Sequence, residues 1–461
     1  MSINSLLNTS NQALQSFQFA IDLTGGNIAN VNTPGYSRQR AAFQTVGSVD
    51  ASAVRAQLGI EVSGAERIYD AYLNNQVTDQ AQLVGYNEGK NDVLDRIEGI
   101  FAENSGGGLS DLLNKFWNAW SGLTANPQGQ VERENLLAAA ESLASKFNGL
   151  DSDLAKTVRD VGDNVTNTVA QANNYLSAIV DLNTKIVANS AADNGGANLL
   201  KDQQSELLKK LGNLVDINYI TDANGAVSIF LANGKPLISV GTTWQLAAAP
   251  QGNKTDIVYK DDPAQSLIQP LSQGKKGKLA ALLEIQNTVV PEYEEKLNAL
   301  AAAITTEVNN QHRSGYDNSG NAGGNFFTPT TDARHFQVST AISADLNKIA
   351  AASTVDGDGD NALAIAAIQN KTVMDGGTFS IADSYASFIG QIGRDVAAAK
   401  SSLDQQNSIM DQLNNRREST SGVSLDEEMM NLMKYQMSYS STGKLVSTIN
   451  QMMDTLLQLV K

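Results

Sequence analysis

The sequence predicts a mainly α-helical protein with a small inserted antiparallel β domain, and three observations carry that prediction. Apolar residues recur at a strict 4-3 spacing at both ends of the chain. Between the ends, segments of 3.6-type periodicity fill most of 67–190, 278–311 and 380–419. Only near Val215 does the period fall to two, with Asn-Gly turns between alternating runs.

The N-terminal stripe runs through Ile3, Leu7, Ser10, Leu14, Phe17, Ile21, Thr24 and Ile28. A 3.5-residue apolar period keeps one seam of a helix facing a partner helix. Ordering this segment alone costs more backbone entropy than its six large apolar side chains return on burial, so it is expected to order against a partner. Between Met1 and Ser37 the only charged side chain is Asp22, and the rest of the exterior is Asn, Gln, Ser and Thr. Such a surface packs on all sides without burying ions.

The break after Ile28 is written in Asn, Pro and Gly: Ala29, Asn30, Val31, Asn32, Thr33, Pro34, Gly35, Tyr36. Two short alternating stretches, 39–46 and 58–62, read as extended. Helix is expected over 67–103, 109–123 and 129–190, with breaks at Gly106, Gly107 and Gly108 and at Asn126-Pro127. From Val215 the runs 216–220, 227–231 and 237–240 alternate like strands, joined by Asn224-Gly225 and Asn233-Gly234, a strong hairpin signal. Half of the prolines (Pro236, Pro250, Pro263, Pro270) also lie here. Helix returns over 278–311. A Gly/Asn-rich loop then leads to Phe326-Phe327, and 336–340 reads as a further strand of the β domain.

The last body helix spans 380–419, with Ile381, Tyr385, Phe388, Ile392, Val396, Ala399 and Leu403 on one face. After Ser421-Gly422 the C-terminal stripe follows: Leu425, Glu428, Leu432, Tyr435, Tyr439, Thr442, Val446, Ile449, Met453, Leu456 and Val460. Ser424 and Glu427 are spaced as a capping box, and Asp426, Glu427 and Glu428 crowd a first turn where the helix dipole favours acids. The stripes predict an assembly interface made of Ile3, Leu7, Leu14, Phe17, Ile21, Ile28, Leu425, Leu432, Tyr435, Tyr439, Val446, Ile449, Met453, Leu456 and Val460.

Composition excludes several functions. A net charge of −16 argues against nucleic acid and against an anionic membrane surface. No apolar run is long enough to span a bilayer. The N-terminus lacks the basic and continuously apolar regions of a cleavable secretory signal. With no cysteine there is no disulfide or zinc-thiolate chemistry.

Candidate chemistry is sparse. His312 and His335 lie far apart without a metal-binding helix motif, and His312 reads as a hydrogen-bonding loop or core residue. Asp356, Asp358 and Asp360 begin like a calcium loop, but Asn361 and Ala367 stand where that loop needs Gly and Glu. They read instead as a polar turn, with Asp360 or Asn361 capping a helix. Gly106, Gly107 and Gly108 follow no strand and read as a linker. Lys275, Lys276 and Lys278 read as a solvated helix start, and Trp117 and Trp120 as core. No catalytic, cofactor or metal site is expected.

The segment Ala29, Asn30, Asn32, Thr33, Pro34, Gly35, Tyr36, followed by Ser37, Arg38 and Gln39, resembles the N-terminal signature of the flagellar rod, hook and hook-associated proteins. Ser421 through Glu428, continuing through Leu432, Tyr435 and Gln436, resembles the matching C-terminal signature. Gly315-Tyr316-Asp317, Gly320 and Phe326-Phe327 resemble a loop of the family's hook-filament junction members. Asn198-Leu199-Leu200 with Asp202-Gln203 resembles a further family segment, although Gln204 stands where an arginine is usual and forms no salt bridge there. A second β insertion usual after the Phe-Phe loop is missing, so a smaller outward part is expected.

The resemblance implies a structural protein, not an enzyme, with no cofactor, exported unfolded through the flagellar type III channel without a cleaved signal. It implies an extracellular homo-oligomeric ring between hook and filament, touching the hook protein and a second junction protein. An export chaperone would hold the C-terminal helix in the cytoplasm. Residues 1–40 plus 421–461 would form a terminal coiled-coil assembly domain. Residues 41–212, 276–325 and 345–420 would form the helical bundle, and 213–275 plus 326–344 the β domain. Hook or rod proteins, with mainly β middles, are the alternative that the helical run 67–190 speaks against. A secreted helical-bundle adhesin or translocator is disfavoured by the termini.

Overall fold

The computed structural model of the chain describes residues 3–46, 59–103, 107–190, 196–239, 241–252, 254–262, 274–355 and 357–459. Helix α1 (Ile3–Ala29) is followed by strands β1 (Gln39–Val46) and β2 (Gly59–Arg67). Helices α2 (Ala71–Ile100), α3 (Leu109–Ala125), α4 (Gln130–Ser190) and α5 (Asn198–Leu214) come next. Six short strands follow: β3 (Ile217–Thr221), β4 (Val227–Leu231), β5 (Pro236–Ser239), β6 (Thr242–Thr243), β7 (Leu246–Gln251) and β8 (Lys254–Tyr259). Helices α6 (Lys278–Glu284), α7 (Val290–Arg313), α8 (Thr340–Ala344), α9 (Asp360–Ala366), α10 (Ile381–Ser421) and α11 (Leu425–Leu459) complete the chain.

Helix α4, 61 residues long, is a rod of about 90 Å at 1.5 Å per residue. Helix α3 packs on α4, and α2 lies between α10 and α5. The α2–α5 contact is backbone to backbone: a Cβ on Gly85 would sit 1.8 Å from the Asn213 carbonyl oxygen. The expected helix start at Arg67 moves to Ala71. Arg67 is still in β2, and the Asp70 carboxylate caps α2 by accepting from the Leu73 N–H at 3.0 Å.

Trp117 and Trp120 lie in the core as expected, Trp120 with Phe116 and His312 around it. Phe326, Phe327 and Phe336 join this cluster, against Phe116, Trp120 and Phe147. Residues 326–344 therefore pack on the helical body, not with the β strands. Their only bridge among the described residues joins Phe327 to Val338. The aromatic pair followed large apolar demand rather than strand periodicity, because burial in the α3–α4 cluster removes three whole rings from water.

The segment 278–313 is not one regular helix. Ile285–Val289 forms a π turn between α6 and α7. Pro291 is the sequence cause, since its ring would collide with the carbonyl four residues back, and a widened turn relieves the collision.

The strands form a four-stranded antiparallel sheet, order β3-β4-β5-β6, and a separate β7–β8 hairpin. Gly225 and Gly234 adopt φ of 89° and 80°, the left-handed conformation that the two Asn-Gly turns require. The β7–β8 hairpin carries Gly252-Asn253 between its strands instead of Asn-Gly, with Gly252 at φ 62°. Pro263 and Pro270 lie outside the described residues, as do Gly106, Asp356 and Val460. No helix among the described residues is long and apolar enough to cross a membrane.

Candidate assembly interface and its joint to the body

Helices α1 and α11 pack against each other, with the β1–β2 ribbon alongside α1. Their contacts run from Asn27 with Glu428 to Phe17 with Tyr435, the last two bridged by Phe43 of β1, so the helices are antiparallel. Ring centroids are 6.3 Å apart for Phe17–Phe43 and 6.1 Å for Phe43–Tyr435. Phe43 was not foreseen, because its strand carried no link to the helical stripe.

Of the stripe residues, Ile449 is buried, while Ile3, Leu7, Leu14, Phe17, Ile21, Ile28, Leu432, Tyr435, Val446 and Met453 are half-buried. Leu425, Tyr439 and Leu456 remain 47%, 39% and 47% exposed in the single chain. The most buried positions of α1 are instead small and polar: Ser10, Ser16, Ala20, Thr24 and Asn27. Small residues let the helix approach its two neighbours closely, and the Ser and Thr hydroxyls bond back to carbonyls of their own helix. A second apolar face of α11, including Met429, Met430, Met433, Met437, Leu445 and Met452, is exposed.

The signature after α1 builds a fixed turn. Asn30 closes the helix by donating from Nδ2 to the Gly26 carbonyl at 2.9 Å, and Thr33 donates from Oγ1 to Asn30 at 3.2 Å. The Tyr36 N–H returns to the Thr33 carbonyl, with Pro34 and Gly35 at the corners and Gly35 at φ 81°. That is a type II turn, which needs glycine at its third position. Ala29, Asn32 and Pro34 are exposed.

Below the turn lies a buried polar joint. Asn27 Nδ2 donates to Glu428 Oε2 at 2.8 Å, and Tyr36 donates its hydroxyl to Asn27 Oδ1 at 2.8 Å. Glu428 is buried and takes the Arg38 guanidinium at 2.8 Å, while Glu427 takes it at 2.6 Å. Glu427 thus serves Arg38 as a pairing acid, instead of closing the capping box expected of it with Ser424. Burial, then the carboxylates of Asp202 and Glu428, push the Tyr36 phenol up to about 12, so it stays a donor.

The joint continues into the body. Asp202 accepts from the Ser37 N–H at 3.0 Å and hydroxyl at 2.7 Å, and ion-pairs with Arg67 at 2.7 Å. Burial raises the Asp202 carboxyl, with Arg67 and Ser37 opposing it. The salt bridge of this segment is therefore made by Asp202 with Arg67. Gln204 instead donates to Asn183 at 2.8 Å. Arg38 ties three elements by backbone, its N–H donating to Ser421 and its carbonyl accepting from Ile68.

The remaining candidates are occupied structurally. Asp358 accepts from Ser353, Thr354 and Asp360, which hold its carboxyl well below the usual carboxylate range. Neither Asp360 nor Asn361 caps the helix as expected: the cap position of α9 is Gly359, without a side-chain bond, and Asp358 closes the turn before it. Asn361 is buried and donates to the Ala350 carbonyl. His335 pairs with Asp332, and Lys276 faces Asp79 at 3.7 Å.

Residues 94–327, half of the chain, match the helical domain of flagellar hook-associated protein FlgK. Residues 7–36 match the flagella basal body rod protein family, and 416–459 the C-terminal region of the flagellar basal body rod FlgEFG proteins. The chain is 27% identical to flagellar hook-associated protein 1 of Salmonella typhimurium, over 99% of this chain and 100% of that one. It is 28% identical to flagellar hook-associated protein 1 of Bacillus subtilis, over 97% and 96%. The Salmonella alignment spans 556 positions against 461 residues here, so that relative carries segments this chain lacks. In fold the chain resembles the flagellar hook junction protein FlgK from Burkholderia pseudomallei, with a TM-score of 0.67 at 16% identity, covering 75% of this chain and 100% of that one. With rod-type sequence at both ends and the helical domain between them, the chain belongs to the flagellar hook-associated protein FlgK family.

Proposed function

We propose that this chain is a structural subunit of the hook-filament junction, assembled outside the cell as a homo-oligomeric ring through α1 and α11. The carrying observation is the double use of α11. One face is covered by α1, and the other presents Met430 and Met437, 59% and 66% exposed, which a neighbouring subunit would cover. Methionine suits a surface that meets different partners in turn, because its flexible thioether repacks readily. The same face fits an export chaperone in the cytoplasm, and the hook protein and second junction protein after assembly. Export in an unfolded state fits an N-terminal segment that carries one charge and orders only with its partners. The rod-or-hook alternative is disfavoured by the helical match over 94–327.

Immunogold labelling of intact cells tests the reading. A single band at the hook-filament boundary is expected. Label along the filament would reject the proposal.

A further inference from the structure

We propose that β3–β8 is a rigid extension of the helical body, clamped by uncharged side-chain amides, in contrast to the ionic joint beneath α1 and α11. The observation is a recurrent bond pair. Gln82 of α2 accepts from the Ile217 N–H at 2.9 Å and donates to the Ile217 carbonyl at 3.2 Å. Asn183 of α4 does the same to Val227 at 3.0 and 2.9 Å. Asn173 of α4 holds Leu246 at 2.9 and 2.7 Å. Gln286 holds Thr255 at 2.8 and 3.0 Å. A fifth, Asn309 of α7, grips Phe327 at 2.9 Å for both bonds.

A primary amide carries one acceptor and a donor pair in one plane, so it pairs with both polar groups of a single backbone residue. A helix has no free backbone to offer a strand edge, and each of these side chains supplies the missing partner. Through them β3, β4, β7 and β8 are each bonded to a helical segment. Tyr259 of β8 also donates its hydroxyl to the Pro236 carbonyl of β5 at 2.8 Å, tying the hairpin to the sheet. Gln286 is fully buried and sits in the π turn, whose extra residue changes which face the following side chains occupy. No clamp side chain titrates, so neither pH nor salt loosens the docking directly.

A sixth amide follows the same pattern with a different environment. Asn27 holds Gln39 at 3.0 and 2.8 Å, but its Nδ2 also donates to Glu428, which Arg38 ion-pairs. Beside it stands the Ser37–Asp202–Arg67 group. Charged groups thus concentrate where the terminal helices meet the body. Their bonds depend on keeping every charge partnered, so this joint loosens when one partner is lost. The inference concerns stiffness within one chain and does not rest on where the protein assembles.

Hydrogen exchange on the full chain, read by mass spectrometry, tests it. Gln286→Glu sets a carboxylate against the Thr255 carbonyl and should speed exchange in β8 about tenfold, the loss of one well-made buried bond. Asn173→Asp should do the same in β7 and serves if the first variant fails to fold. Glu428→Gln should speed exchange in α11 and leave β3–β8 unchanged. Because the chain has no cysteine, a single tether can be added cleanly. A Cβ built on Gly162 lies 3.7 Å from Thr255 Cβ, within disulfide reach. The oxidised Gly162→Cys/Thr255→Cys protein should exchange across β3–β8 within about twofold of its reduced form, since nothing remains to immobilise. A larger slowing on oxidation, or unchanged β7–β8 exchange in both amide variants, overturns the proposal.

Discussion

His312 donates from Nδ1 to the Gly324 carbonyl at 2.7 Å and accepts at Nε2 from the Ala350 N–H at 2.9 Å. That arrangement needs a neutral ring, because protonating Nε2 would set two donors against each other. Burial, with the nearby Arg133 charge, lowers its pKa from the ordinary 6.5 to about 4. The unfolded chain therefore binds a proton that the folded chain refuses between about pH 6.5 and 4. This contribution is fully present above pH 6.5 and is lost as the pH falls, about 3 kcal/mol in all. Urea titrations at pH 7 and pH 4.5 should show that loss, and His312→Gln should reduce its pH dependence. A slope identical in both proteins would sink the assignment. The sequence pointed to a hydrogen-bonding role for His312, but its partners come from loops on either side of the Phe-Phe segment, which no local pattern joins. Asp202 teaches the same lesson, since its partner Arg67 comes from a strand read as the start of a helix.

Among elements, the tightest contact is that of α2 with α5 at Gly85. Gly85→Ala would force the two helices apart, because the new Cβ meets backbone rather than a movable side chain. A loss of about 2–3 kcal/mol is expected in chemical denaturation, the usual cost of overpacking against fixed atoms. Gly99→Ala, with open space around it, is the control and should not destabilise. Helix types and approximate spans were legible because 3.6-residue periodicity and Asn-Gly turns are local signals. The β7–β8 hairpin and the π turn were not: Gly252-Asn253 is a hairpin turn sequence, but the run 246–251 before it, rich in Ala and carrying Pro250, shows little alternation, and Pro291 is embedded in an otherwise helical pattern. Residues 326–344 were misread for a third reason: alternation in a short segment says that one side is buried, not what it is buried against.

For the whole molecule, the terminal pair is expected to be separable from the body. Deleting 425–461 should leave a folded body, with the loss of helical circular dichroism confined to α11 and α1. Helix α1 loses its long partner, and its apolar residues alone do not order it. The truncated chain should fail to assemble onto hooks, and normal filament growth with it would refute the role assigned to α11. By itself the sequence determined that both ends are striped helices, that the middle is helical with a β insertion, and that signatures flank the body, all properties of neighbouring residues. The tertiary structure alone decided which side of each stripe is covered, that Phe43 completes the seam, and that Asn27, Glu428, Arg38, Asp202 and Arg67 form one joint. A periodic pattern names a face, but a face acquires a partner only when residues hundreds of positions apart are brought within hydrogen-bond distance.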